Sequence, residues 1–167
     1  MADPLILTLD LGPDQARYDA LREAHFPPRP YRLPAHLTLF HKLPGEEEAA
    51  IDAHLRLVAR ACAPLPLRFA ALMPLGGGVA VEVESPAALA LRAALAAHWR
   101  DRLSPQDRGF RPHVTIQNKV DAETARATMA ALAEGFEPHE GVSRALCLWR
   151  YRGGPWEPAA RHRFRKG

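Results

Sequence analysis

His36-Leu37-Thr38-Leu39 and His113-Val114-Thr115-Ile116 are two copies of one pattern, a histidine and a threonine alternating with aliphatic residues. Side chains of a strand alternate between its faces, so each copy puts histidine and threonine on one face and the aliphatic pair on the other. Phe40 and Lys42 extend the first polar row, and Gln117 and Lys119 extend the second. Aliphatic rows pack inward. The polar rows are therefore expected to meet across a wet cleft.

Working outward, the 77-residue offset from His36 to His113 also carries Thr38 to Thr115 and Lys42 to Lys119. The elements around the two copies follow the same order. Leu5–Leu9 reads as a strand, residues 13–25 as a helix ended by Pro27-Pro28, and residues 46–61 as a helix with an acidic first turn. Residues 65–73 read as a strand. In the second half, Val79–Val83 is a strand with its valines on one face. Ser85-Pro86 caps and opens an alanine–leucine helix to about Leu103, Asp121 caps a helix to about Glu134, and residues 143–150 form a strand. His162–Arg165 reads as a short edge strand. A matched order of elements around a matched motif predicts an internal duplication, with half-repeats of about 1–75 and 76–167 in one bilobal domain spanning 1–167. The fold class expected is α+β, with two antiparallel sheets lining a central cleft and helices outside.

Bulk properties narrow the function classes. A chain of 167 residues can bury a sizeable core without cross-links. The net charge of +3 favours an anionic partner, but it is far from the dense basic character of a dedicated nucleic-acid binder. Cys62 and Cys147 are far apart, outside any CxxC, and read as reduced core thiols. The start, MADPLILTLD, has no basic region and only a short apolar run, which argues against a signal peptide or membrane segment. Cytoplasmic localisation is expected, with no membrane association and no obligate protein partner evident.

The chemistry follows from the histidine pair. Two imidazoles can differ in protonation near neutral pH, so one can serve as base and the other as acid. Phosphodiester cleavage needs such a pair on opposite sides of phosphorus. The Thr38 and Thr115 hydroxyls are placed to donate to the non-bridging oxygens, where transition-state charge gathers. This scheme requires no metal or other cofactor. His41 lies at an odd offset from His36 and so on the opposite strand face, which argues against a metal pair there. Phe40, Arg111, Gln117 and Tyr151 are candidate substrate contacts, with Arg32 and Trp156 as further possibilities. His25, His54, His98, His139 and His162 read as surface or helix-end residues. Gly76-Gly77-Gly78 lacks the lysine and serine of a phosphate loop and reads as a turn.

At the HLTL and HVTI tetrapeptides the chain resembles the two-histidine (2H) phosphoesterase superfamily, whose mark is a twice-repeated H-x-[T/S]-x. The nearest likeness is to the bacterial 2′–5′ RNA ligase-like branch, where a segment similar to Leu148-Trp149-Arg150-Tyr151 also stands near the C-terminus. The resemblance implies a two-lobed α+β duplication. It also implies cofactor-free action on RNA or nucleotides bearing 2′,3′-cyclic or 2′–5′ phosphodiesters. It further implies that in hydrolysis His113 activates water while His36 protonates the leaving oxygen. The chain departs from strict repetition in its prolines: Pro34 stands two residues before His36, but Pro112 directly precedes His113. A different class of function, a non-catalytic nucleotide- or RNA-binding module that keeps the cleft, remains open at this point.

Overall fold

The protein is described by a computed structural model, covering residues 2–166. Its strands are β1 (Leu5–Leu9), β2 (Leu37–Leu43), β3 (Leu65–Pro74), β4 (Val79–Glu84), β5 (His113–Gln117), β6 (His139–Ser143), β7 (Ala145–Tyr151) and β8 (Trp156–Arg163). Its helices are α1 (Gln15–His25), α2 (Glu48–Ala61), α3 (Pro86–His98) and α4 (Ala122–Ala133). α2 buries Ile51, Leu55 and Ala59, one stripe at four-residue spacing, in the core, and lies against β7 and β8. α3 begins where Ser85 Oγ accepts from Ala88 N at 3.0 Å, and α4 where Asp121 Oδ1 accepts from Thr124 N at 2.7 Å. Both expected N-caps are in place.

All strand pairs are antiparallel, in the order β6-β3-β4-β5-β2-β1-β7-β8. The two expected sheets are four-stranded halves of one curled sheet, joined between β2 and β5 at the single pair Leu37–Val114. The order reads the same from either end if β1 exchanges with β4, β2 with β5, β3 with β7, and β6 with β8. The halves of the sheet do not follow the halves of the sequence, however. β3 leaves the first half to pair with β4, and β7 leaves the second half to pair with β1.

This exchange explains what the sequence hid around Arg144. One strand was expected over residues 143–150; instead β6 ends at Ser143 on β3 and β7 starts at Ala145 on β1. Asp10 fixes the crossing, its Oδ1 accepting from Ser143 Oγ, Arg144 N and Ala145 N at 2.9, 2.7 and 3.1 Å. The edge strand expected over 162–165 is longer and begins at Trp156. The glycine run forms the β3–β4 turn. Gly76 there has φ +72°, and a Cβ on Gly78 would stand 1.7 Å from the Gln117 carbonyl oxygen.

Candidate active site

Leu37 and Val114 are fully buried, so their neighbours in sequence turn to the other face of the sheet. Continuing the Leu37–Val114 register by one residue sets His36 opposite Thr115 and Thr38 opposite His113. The histidines are thus diagonal neighbours, a relation that separates two residues by roughly 7–8 Å, within reach of a shared ligand. They lie side by side on one curled surface, each with its threonine partner across the junction.

Both imidazoles are oriented in the same way. His36 Nδ1 lies 2.7 Å from the Pro34 carbonyl oxygen, and His113 Nδ1 lies 2.7 Å from that of Arg111. A carbonyl can only accept, so Nδ1 carries the proton in each ring and Nε2 is left for chemistry. Two prolines placed differently in sequence end in equivalent geometry, because the acceptor in both cases is the carbonyl two residues upstream.

The polar rows stop earlier than simple alternation predicts. In the β1–β2 ladder Leu7 pairs with Phe40 and Thr8 with Thr38, so Leu39 is an extra residue. In the β4–β5 ladder Val79 pairs with Gln117 and Ala80 with Thr115, so Ile116 is extra. Each motif ends in a bulge at its fourth residue, which reverses the alternation beyond it. Phe40 is therefore a core residue, stacked edge-on with Trp99 at 5.4 Å and covered by Arg92 at 4.0 Å, and not a substrate contact. Gln117 is likewise buried, bonded through Nε2 to Thr128 Oγ1 at 2.8 Å. His41 and Asn118 line the cleft in their stead.

That cleft, of about 830 Å³, brings together His36, Thr38, His113 and Thr115. Tyr151 and Trp156 border it, as expected of possible contacts, and Lys119 enters it from a left-handed backbone at φ 63°. Arg111 is not among the residues lining this cleft: its guanidinium is exposed near Glu82, 3.9 Å away, while its carbonyl meets His113 Nδ1. The far wall of the cleft is the proline-rich stretch after α1, with Arg29, Tyr31 and Arg32, and Arg22 reaches in from α1 itself. Sequence reading missed Arg22 and Arg29, which stand outside either motif.

Trp156 lies over His36 with ring centroids 4.8 Å apart. The His36 pKa is pushed down to about 4, chiefly by burial. The Pro34 carbonyl bond opposes this, and positive charge at Arg22, His41 and His113 lowers it further. This keeps the ring neutral at pH 7, with an accepting Nε2.

Of the remaining histidines, His162 and His139 are more embedded than expected. His162 Nε2 meets Asp52 Oδ1 at 2.6 Å, pinning β8 to α2. His139 stacks on Phe69 at 4.8 Å and meets Tyr18 Oη at 3.0 Å. Both cysteines are free thiols, and burial raises the Cys147 pKa to about 11. Among the described residues there is no group of three or more His, Cys, Asp or Glu side chains placed to hold a metal ion. Nor is any helix among them long and apolar enough to cross a membrane.

Residues 12–155 match the sequence profile of the 2′-5′ RNA ligase superfamily. No curated protein matches the chain. Among solved structures, TT0787 of Thermus thermophilus is similar with a TM-score of 0.65 and 22% identity, covering 97% of this chain and 98% of that one. Escherichia coli LigT complexed with 3′-AMP is similar with a TM-score of 0.66 and 18% identity, covering 99% and 100%. A structure described as a phosphoesterase gives 0.63 and 20%, covering 99% and 100%. At these identities the likeness establishes a shared fold.

Proposed function

Because the chain belongs to the 2′-5′ RNA ligase superfamily, the 2H phosphoesterases, we propose that it hydrolyses 2′,3′-cyclic phosphodiesters of RNA or nucleotides, or acts on 2′–5′ linkages, through His36 and His113. The observation that carries this reading is the matched orientation of the two rings. Each has Nδ1 tied to a backbone carbonyl and Nε2 left for the cleft, with a threonine across the junction. A neutral Nε2 removes a proton from water, and the resulting hydroxide attacks phosphorus. The bond to one ribose oxygen breaks, and the opposite imidazolium returns a proton to that oxygen. Charge gathering on the non-bridging oxygens is met by the Thr38 and Thr115 hydroxyls. The LigT complexes with 3′-AMP and NADP+ support a nucleotide-sized ligand in a cleft of this kind.

The environment of His36 favours it as the base, since burial and neighbouring positive charge keep it neutral. His113 is then the acid. This reverses the order that the family resemblance implied, and a substrate with a very good leaving group decides between them. On a nitrophenyl ester, which departs without a proton, His113→Ala should recover much of its lost rate while His36→Ala should not. The opposite pattern would restore the implied order.

The activity itself is tested with a panel of cyclic nucleotides, cyclic-ended RNA and 2′–5′ dinucleotides, run with EDTA present. Turnover of at least one class that survives chelation is expected. Saturable binding with no product would mean a binding module instead, and activity lost to EDTA and restored by a divalent ion would overturn the two-histidine scheme.

A further inference from the structure

Arg22 and Arg92 occupy comparable places in the two halves, on the helices that follow β1 and β4. Each reaches the motif strand of the other half. Arg22 donates through Nη1 to the Thr115 carbonyl at 2.9 Å, and Arg92 donates through Nε to the Leu39 carbonyl at 2.9 Å. Both are largely buried, at 9% and 6% exposed. Their partners differ. Arg92 also donates through Nη2 to the Asp107 and Gly109 carbonyls and lies in the field of the Asp107 carboxylate, so its charge is compensated within the fold.

Arg22 is compensated less, with one carbonyl acceptor against three and with the like charge of Arg29 set against that of Asp19. Thr115 O is its only hydrogen-bond acceptor among the described residues. The carboxylate that acts on it is Asp19, whose Oδ1 is already committed to Gln15 Nε2 at 3.0 Å and Ala35 N at 2.6 Å. A second cation is held beside it: the guanidinium carbons of Arg22 and Arg29 stand 4.4 and 4.9 Å from the centre of the Phe26 ring. Arg29 Nη1 donates to Tyr31 Oη at 3.0 Å, while its Nε is buried without a partner. Both side chains line the cleft that holds the histidines. A buried charge normally has a partner, and like charges repel when brought together out of water. Here the missing counter-charge belongs to a ligand.

We propose that Arg22, with Arg29 beside it, is a further phosphate-binding residue of this cleft and contacts a non-bridging oxygen of the phosphoryl group set between His36 and His113. The placement of that group rests on the phosphoesterase reading; the need of the arginine pair for an anion does not. A diester carries one negative charge, and the pentacoordinate arrangement reached during attack carries more. A guanidinium already desolvated and fixed by Thr115 O gains most from that added charge, so its contribution falls on kcat more than on KM. Arg92, equally buried but compensated, is a purely structural counterpart.

The test begins with inorganic phosphate as probe, titrated into wild-type protein and into Arg22→Gln and Arg29→Gln by calorimetry. Glutamine keeps a donor for the Thr115 carbonyl and removes the charge. Loss of a charge-assisted hydrogen bond is expected to weaken phosphate by roughly 10- to 100-fold in Arg22→Gln, and several-fold in Arg29→Gln. With a cyclic phosphodiester, kcat of Arg22→Gln should fall on the order of 10²-fold, with KM changed much less. Absence of phosphate binding by the wild type, or unchanged affinity in both variants, overturns the proposal. Should Arg22→Gln fail to fold, the half-exposed Arg29→Gln decides alone: weakened phosphate supports the clamp, unchanged phosphate overturns it. Phosphate binding needs no turnover, so a chain that hydrolyses no diester but loses phosphate on Arg22→Gln would fail the phosphoesterase reading and keep this one.

Discussion

In the proposed mechanism His36 and His113 have one job each, with Nδ1 of either ring held by a backbone carbonyl and Nε2 left for the substrate. Replacing either with alanine is expected to cost on the order of 10²–10⁴ in rate, the usual scale for a lost general acid or base. Stability should change little, since both rings face the cleft; near-full activity in either variant would remove that residue from the mechanism. Thr38→Val and Thr115→Val should cost less, because each deletes one donor from a shared set. The lowered pKa of His36 has a consequence for pH dependence. A base must be deprotonated, so kcat/KM should hold as pH falls below the ordinary histidine value and decline only towards pH 4, which a pH–rate profile of the free enzyme measures. In kcat the acid limb should lie higher, since a bound anion favours the charged ring. A kcat/KM limb near 6.5 would mean that His36 is not the base.

At the scale of the element, the two bulges decide which residues reach the cleft, and the helix caps decide where the helices begin. Ser85 does two things: its Oγ caps α3 and also donates to the Pro66 carbonyl at 2.6 Å, tying the helix to β3. Ser85→Ala is expected to cost about 1–2 kcal/mol, the upper part of the range for a lost N-cap, read from denaturant midpoints. Thr124, exposed in the first turn of α4, offers both its amide and its hydroxyl to Asp121; Thr124→Ala loses only the exposed hydroxyl and should be close to neutral. His54 of α2 stacks on His98 of α3 with ring centroids 3.6 Å apart. Burial, followed by the charge of His98, lowers the His54 pKa. The unfolded chain therefore binds protons that the folded one resists, and stability should fall as pH drops through the ordinary histidine range near 6.5. His36, lowered to about 4, adds to the same loss, so His54→Gln should make the decline in thermal melts shallower without abolishing it; an unchanged decline would place the titration elsewhere.

Across the whole molecule, the exchange of β3 and β7 between halves means that neither half of the sequence holds a complete half of the sheet. We infer one bilobal domain that unfolds as a single unit, with coincident transitions by circular dichroism and tryptophan fluorescence. Two separate transitions would argue for lobes that fold independently. Asp10 secures this arrangement at the β6–β7 crossing, where one buried carboxylate satisfies a hydroxyl and two backbone amides and also meets Arg161 at 2.9 Å. Asp10→Ala leaves those donors unpaired and should cost about 3 kcal/mol or more. Asp10→Asn, which retains one acceptor oxygen, should cost less. Equal stability of the two variants would show that the crossing does not depend on these bonds.

The sequence by itself determined the repeated motif, its two histidines and threonines, the caps at Ser85 and Asp121, and the α+β class. These are local features: the period of a strand and the chemistry of a helix end are written in adjacent residues. It could not show that Phe40 and Gln117 turn inward, because a bulge is settled by the register of the neighbouring strand and not by the bulged strand's own pattern. Nor could it place Arg22 and Arg29 beside the histidines, since their stretch of chain meets the motif strands only after the sheet has curled. The sites of strand exchange were hidden for the same reason, as the apolar patterns of β3 and β7 suit either half of the sheet. What remained for the tertiary structure was the pairing of distant strands. Hydrophobic pattern leaves that choice nearly degenerate, and side-chain fit and hydrogen bonds such as those of Asp10 decide it.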